Sequence, residues 1–356
     1  MHQVEVRKDR IVDAQLVDRQ LDELDDGAIR LVIESFSVTS NNVTYAVVGD
    51  GFGYWNFFPA ADGKGIVPVW GHARVIESRH AEFTEGERVY GYLPMATHLD
   101  VLPGNVSASG FTDMAEHRQP MSPVYNQYSR LAADPEHDPA REGERMIFGP
   151  LFKTGFLIEY FMRSENWFGA SQLILTSASS KTAMGLASVA KQHSPQIKRI
   201  GLTSAGNVEF VTASGLYDVV LPYDAVDSIA TEPSVSVDFA GNSKLLNAIH
   251  THLRDVLKYS CLVGVTHIEE REGGTGDITG PTPTLFFAPD HAVAFFKSVG
   301  PKDAGNILAQ SWRDFLADAG DSISLERRKG LAAARDVFVE MASGSVDPAK
   351  GIVIEP

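Results

Sequence analysis

Apolar positions along this chain follow two rhythms. In the first part they alternate with polar ones, as a strand with one buried face requires: AIRLVIES at 28–35, GHARVIES at 71–78 and RVYGYL at 88–93, parted by turn-forming residues. The spacing predicts one short helix among them, NNVTYAVV at 41–48, behind the hydroxyl cluster 37–40. After 151 the apolar runs become short and continuous, in QLIL, IKRIGLTS, YDVVLPYD, SVSVDFAG and YSCLVGVTH. Runs of that kind are what a parallel sheet covered on both faces buries, and helical stretches separate them, notably 152–164 and 242–258. The fold class expected is α/β: a β-rich domain over 1–150, then a doubly wound parallel sheet over 151–274, with 275–356 returning to the first domain. LAADPEHDPAREGER at 131–145 is polar and carries prolines, which predicts a solvated loop, either a lid or an insertion. GGTGDITGPTP at 273–283 reads as a connection, and LERRKGLAAARDVFVEMASG near the end as helical.

Composition narrows the partners. A chain of 356 residues with 44% hydrophobic content has enough apolar surface for two or three folding units. Its formal net charge of -15 argues against nucleic acid, whose affinity comes from clustered Lys and Arg displacing counterions. Cys261 is the only cysteine, so neither an intrachain disulfide nor a cysteine-rich metal site can be built. The start, MHQVEVRKDRIVDAQ, lacks the apolar core of a signal peptide, and no apolar run reaches the roughly 18 residues of a spanning helix. A cytoplasmic protein with a small-molecule substrate and no membrane partner is expected, with a homodimer as its candidate assembly.

The stretch QLILTSASSKTAMGLASVAKQ at 172–192 carries the chemistry. Lys181 followed by Thr182 suggests a nucleoside-triphosphate loop, but Leu175 and Ser180 stand where that loop needs glycines. A dinucleotide turn also prefers glycine, yet asks only for small residues, close backbone approach and a helix N-terminus with its free N–H groups. Ser177, Ala178, Ser179 and Ser180 supply the first two, Lys181 and Thr182 open a helix, and Ala183, Ala187 and Ala190 form a small-residue stripe that suits close packing on a sheet. The alternative is a structural turn with no ligand. The next strand ends in Leu202, Thr203, Ser204, Ala205, Gly206 and Asn207 without the carboxylate that holds a free ribose 2'-hydroxyl, which favours NADP(H). Thr203, Ser204 and Asn207 donate hydrogen bonds suited to a phosphate, with Lys181 as a further cation, although Ser204 and Asn207 are equally good helix caps.

With those residues in view, the chain resembles the medium-chain dehydrogenase/reductase superfamily, on the side of its zinc-independent quinone and enoyl reductases. GERVYGYL at 86–93 and GHARVIES resemble strands of that superfamily's GroES-like catalytic domain, and VDFAG at 237–241 its fourth Rossmann strand. NNVTYAVVGD, PVYNQYSRL and SASSKTAMGLA together resemble an uncharacterised bacterial branch, a domain of unknown function. The resemblance implies a GroES-like domain beside a Rossmann-like one. Of the metal ligands in the zinc-dependent members only His72 has a counterpart here, with Ala73 in place of a glutamate, so no metal is expected.

In the zinc-free branch the first short helix faces the nicotinamide, which points to Tyr45 as hydrogen-bond or proton donor and to Asn42 as an orienting amide, with packing as the competing use of Tyr45. The same likeness assigns Thr154 to the cofactor, and Gly264 and Thr266 join it by their place at the carboxyl edge of the expected sheet, while Trp55, Tyr125 and Tyr128 are candidates for a substrate pocket with core packing as their competing use. The activity implied is NADPH-dependent reduction of a small carbonyl or activated alkene. Two alternatives are a non-redox NADP-binding sensor and a lyase or epimerase that keeps NADP bound.

Overall fold

The computed structural model describes residues 1–263, 278–344 and 347–356. The chain divides into two compact units, Met1–Ile147 with Ser324–Pro356, and Phe148–Ile323.

In the first unit the strand Ile29–Val38 runs antiparallel to Pro68–Ser78, which in turn pairs with Arg88–Pro94. The alternation read from the sequence sends Ile29, Leu31 and Ile33 into one core with Val69, Val75 and Val89, and a register shift between Ile33 and Ser35 brings Phe36 into the same core. Helix α1, Ser40–Val47, starts at Thr39, where a capping box joins Thr39 and Asn42. A second, aromatic core gathers Tyr45, Tyr54, Phe57, Phe58, Ile66 and Tyr92.

The stretch 131–145, expected as a solvated loop, is exposed over much of 132–140 and buried at Leu131 and at 143–145. It forms short turns, then becomes the start of helix α2, Glu142–Ser164, which carries the chain into the second unit. Its charges are paired: Arg88 donates to Glu142 at 2.7 Å and to Glu34 at 2.7 Å, His137 meets Glu142 at 2.9 Å, and the buried Arg145 meets the buried Asp134. The sheet supplies one of these partners, Arg88, and the stretch supplies the others itself, which lets its last residues be buried despite their charge.

The second unit is a sheet of parallel strands. Across it run Val219–Pro222, Lys198–Thr203, Gln172–Leu175, Ser234–Asp238, Leu257–Leu262 and Thr284–Leu285, which in chain order is 3-2-1-4-5-6. That is the dinucleotide-binding order, with its switch point between the first and fourth strands. The helices are α3 at Lys181–His193, α4 at Val208–Ala213, α5 at Ser243–Leu253, α6 at Ala288–Val299 and α7 at Pro301–Ala319. Asn242 caps α5 by accepting from the N–H groups of Lys244 and Leu245.

The chain re-enters the first unit at Ser324, later than the expected 275. LERRK, expected as helix, is a strand, Ser324–Lys329, parallel to Lys350–Glu355. Gly330, at φ 83°, then turns the chain into helix α8, Leu331–Ala342, whose Leu331, Ala334, Val337 and Phe338 complete the first core. Among the described residues no helix is long and apolar enough to cross a membrane.

Candidate functional site

The switch point is built from side chain and backbone together. The fully buried Gln172–Leu175 strand delivers Thr176, whose hydroxyl donates to Asp238 Oδ1 at 2.6 Å and accepts from the N–H groups of Phe239 at 2.9 Å and Ala240 at 3.1 Å. The ends of the first and fourth strands are thereby tied together. Ser177 follows at φ 48°, the left-handed region that glycine occupies at lowest cost. Ala178 donates its N–H to Leu202 O at 3.0 Å and accepts from the Tyr217 hydroxyl at 2.7 Å. A Cβ on Gly201 would stand 2.8 Å from the Tyr217 ring, so this glycine makes room for that tyrosine. Ser180 caps α3, its Oγ accepting from Ala183 N–H at 3.3 Å.

Behind the cap, the small-residue stripe is in place: Ala183, Ala187 and Ala190 are fully buried. Close packing comes from a pair of glycines. A Cβ on Gly155 would lie 2.5 Å from Leu186 N, and one on Gly185 would lie 3.0 Å from Phe152 Cα. Helices α2 and α3 therefore cross backbone to backbone, which holds the turn and the start of α3 against a rigid neighbour.

The proposed cofactor residues divide in three. Ser177, Ser179, Ser180, Lys181 and Thr182 are half-buried along the turn and the first turn of α3, and Asn207 Nδ2 reaches Ser179 Oγ at 3.2 Å, with the exposed Ser204 beside it. Thr203 is 1% exposed and spends its backbone on the sheet, so its side chain has no surface to offer. Thr154 lies half-buried on α2 and donates back to Pro150 O at 3.3 Å, within its own helix. Gly264 and Thr266 lie outside the described residues.

In the first unit, Asn42 is a capping residue. Its Oδ1 accepts from Thr39 N–H at 2.6 Å and its Nδ2 donates to Pro68 O at 2.8 Å, in a side chain 2% exposed, so the amide expected to orient substrate is spent on the helix start. Tyr45 is 5% exposed, lies 4.6 Å from the Tyr54 ring and accepts from Trp70 Nε1 at 3.3 Å. Burial pushes its hydroxyl well above the ordinary tyrosine range.

Tyr125 is half-buried, and its hydroxyl meets that of Tyr54 at 2.9 Å. Trp55 and Tyr128, expected at a substrate pocket, are packing residues. Trp55 fills the space left by the missing side chains of Gly49 and Gly65, and Tyr128 stacks on Phe111 and donates to Tyr92 O at 2.6 Å. Arg118, which no motif marks, is 1% exposed. It donates to Asp113 at 2.7 Å, to the Tyr128 hydroxyl at 3.0 Å and to Tyr125 O at 2.8 Å. An isolated arginine in a polar stretch carries no sequence signal of burial.

His72 sits opposite Tyr90 in the sheet, fully buried, and neither ring nitrogen finds a partner among the described residues. Burial lowers its pKa to about 3; Glu142 opposes that shift, and Arg145, Arg88 and His137 reinforce it. Cationic neighbours make this a poor place for a metal ion. Among the described residues, no group of three or more His, Cys, Asp or Glu is placed to hold one.

Known proteins agree with this architecture. Residues 36–347 match the family described as a protein of unknown function (DUF2855). Comparison with curated proteins gives no match. Among solved structures, CurA from Vibrio vulnificus in complex with NADPH is 14% identical, at TM-score 0.59, covering 100% of this chain and 99% of that one. The quinone oxidoreductase from Coxiella burnetii is 13% identical, at TM-score 0.58, with the same two coverages of 100% and 99%. The ETR1P/NADP/crotonyl-CoA complex is 13% identical, at TM-score 0.61, again covering 100% and 99%. The fold is that of the medium-chain dehydrogenase/reductases, a GroES-like β-rich domain with a Rossmann-like one.

Proposed function

We propose that this chain, which belongs to the DUF2855 family, is an NADP(H)-dependent oxidoreductase that reduces a small carbonyl or an activated alkene without a metal. The observation that carries the reading is the 3-2-1-4-5-6 strand order, with a small-residue turn at its switch point. The turn fits a dinucleotide by its own geometry. Ser177 takes the backbone conformation of the missing glycine, Ala178 has almost no side chain, and Ser179 and Asn207 put an amide and a hydroxyl side by side at the rim. That solved structures of the same fold bind NADPH or NADP supports the choice of ligand.

In this reading Ser177, Ser179, Ser180, Lys181 and Thr182 hold the pyrophosphate, and Ser204 with Asn207 holds the 2'-phosphate. The bound nicotinamide supplies a hydride. The protein's part is to orient the substrate and to donate a hydrogen bond to the oxygen that gains charge.

Titration of cofactor fluorescence is the first test, with NADPH expected to bind more tightly than NADH. Ser204→Asp should weaken NADPH binding by about 1 to 3 kcal/mol through charge repulsion while sparing NADH. Equal affinities would remove the argument from the second strand. A panel of quinones, enals and aldehydes then tests the chemistry: NADPH bound but oxidised by none of them would favour a sensor, or an enzyme that cycles its cofactor within one turnover.

A further inference from the structure

We propose that Tyr217 is a positioning residue for the cofactor, whose hydroxyl fixes the peptide between Ala178 and Ser179 so that the Ser179 N–H is aimed at the pyrophosphate. This rests on the dinucleotide reading for the identity of the ligand, and on backbone geometry for the identity of the residue. The turn that follows Gln172–Leu175 is closed by the N–H of Ser180, which donates to Ser177 O at 2.7 Å. The peptide between Ala178 and Ser179 is therefore its central one. A closing bond leaves the direction of the central peptide open, and the two opposite directions are what separate a type I turn from a type II turn.

Two contacts decide it here. Ala178 is fully buried, its N–H donates to Leu202 O at 3.0 Å, and its carbonyl accepts from the Tyr217 hydroxyl at 2.7 Å. In a trans peptide the carbonyl and the N–H of the next residue point opposite ways, so a carbonyl held toward Tyr217 turns the Ser179 N–H away from it. Tyr217 stands against the second strand of the sheet, its ring beside Gly201, where a Cβ would lie 2.8 Å from the ring. The other side is that of the first and fourth strands, where the switch point opens. The Ser179 N–H donates to no group among the described residues, and Ser179 is half-buried at the rim where Asn207 reaches its hydroxyl.

Tyr217 thus supplies what a glycine-free turn lacks. Glycines let backbone N–H groups curl around a phosphate, whereas this turn contains none and takes its one left-handed residue, Ser177 at φ 48°, at a steric cost. Its central peptide is held by a side chain instead. Burial pushes the Tyr217 hydroxyl well above the ordinary tyrosine range, so it keeps its proton and stays a donor at neutral pH. No motif marks the residue, because it lies some 40 positions after the turn and reaches it only across the space that Gly201 leaves free.

The test compares the full-length wild-type protein with Tyr217→Phe, which keeps the ring beside Gly201 and removes only the hydroxyl. NADPH and NADH are titrated by fluorescence, and adenosine 2'-monophosphate, which has no 5'-phosphate, by calorimetry. Tyr217→Phe should weaken NADPH and NADH by the same factor, about 10- to 100-fold, the worth of one hydrogen bond to a charged group, and leave adenosine 2'-monophosphate unchanged. A role confined to holding the fold would weaken all three together. In wild-type protein carrying isotope-labelled serine, the Ser179 amide resonance, identified by its loss in Ser179→Ala, should move downfield when NADPH binds, a measurement that holds even if Tyr217→Phe does not fold. Dinucleotide binding that leaves the Ser179 amide unmoved, that Tyr217→Phe does not change, or that falls together with adenosine 2'-monophosphate overturns the assignment of Tyr217 and leaves the dinucleotide reading standing. Failure of the wild-type protein to bind either dinucleotide removes that reading, and the role of Tyr217 with it.

Discussion

A neutral imidazole donates from one nitrogen and accepts at the other, and at His72 neither finds a partner among the described residues. Protonation there adds a charge to a fully buried site that already contains Arg145 and Arg88 nearby, which is why the group titrates at about 3 and stays neutral in the folded protein. In the unfolded chain it takes a proton near 6.5. The unfolded state therefore binds more protons across that window, and the stability contribution is complete above about 6.5 and lost as pH falls toward 3. Glu142 acts in the same sense lower down: burial raises its pKa, but hydrogen bonds from Arg88 and His137 outweigh this and hold it at about 2, so its contribution fades as pH falls below the ordinary carboxylate range. Thermal melts from about pH 7 to pH 4 should show stability falling by about 1.4 kcal/mol per pH unit for one such proton. His72→Leu should flatten that slope, and an unchanged slope would mean that His72 is protonated in the folded state. The sequence marked His72 as a lone histidine without co-ligands but held no sign of its burial, because that depends on Tyr90 and on a segment some 70 residues downstream. Asn42 illustrates a different limit: an amide at a helix start serves a cap or a substrate with the same atoms, and only the contacts to Thr39 and Pro68 decide.

Helix α3 has both a start signal and a packing face in its own letters, Ser180 before KTAMGLASVAK with alanines on one stripe. Ser180→Ala should cost about 1 kcal/mol as a lost cap. Gly155→Ala should cost more, about 1 to 3 kcal/mol, because the added methyl meets the backbone of Leu186 and Gly185 rather than a side chain that could rotate away. Chemical denaturation measures both. If Gly155→Ala were neutral, the two helices would have to part more easily than a 2.5 Å approach allows. The partner glycine was invisible in the sequence, since nothing in EGERMIFGPLFKTGF says which helix will cross it. LERRK failed for the complementary reason. Its residues have ordinary helix propensity, and the strand forms because Lys350–Glu355 lies alongside with unpaired backbone. Strand pairing of that kind is non-local, and composition does not report it.

Across the whole molecule, hydrogen exchange offers the broadest check on the candidate site. Saturating NADPH should slow exchange at 176–183 and 203–208, where the turn and the end of the second strand meet through Asn207 and Ser179, with little change in the three-stranded sheet that His2–Arg7, Arg10–Asp18 and Lys64–Gly65 form in the first unit. Protection spread evenly, or absent from 176–183, would move the ligand elsewhere. By itself the amino-acid sequence determined the two rhythms of apolar residues, hence a β-rich unit and a parallel α/β unit, and the small-residue turn between a strand and an alanine-striped helix. Those are local properties, set by side-chain period and by the conformations that small residues permit. Only the tertiary structure decided that the strands stand in 3-2-1-4-5-6 order, that Asp134 and Glu142 in the polar stretch pair with Arg145 and Arg88, that Trp55 and Tyr128 are spent on core packing, and that Arg118 donates to the Tyr125 carbonyl. Each of these depends on which distant groups share one buried space, and in such a space a charge or hydroxyl is defined by the partner it finds rather than by its neighbours in the chain.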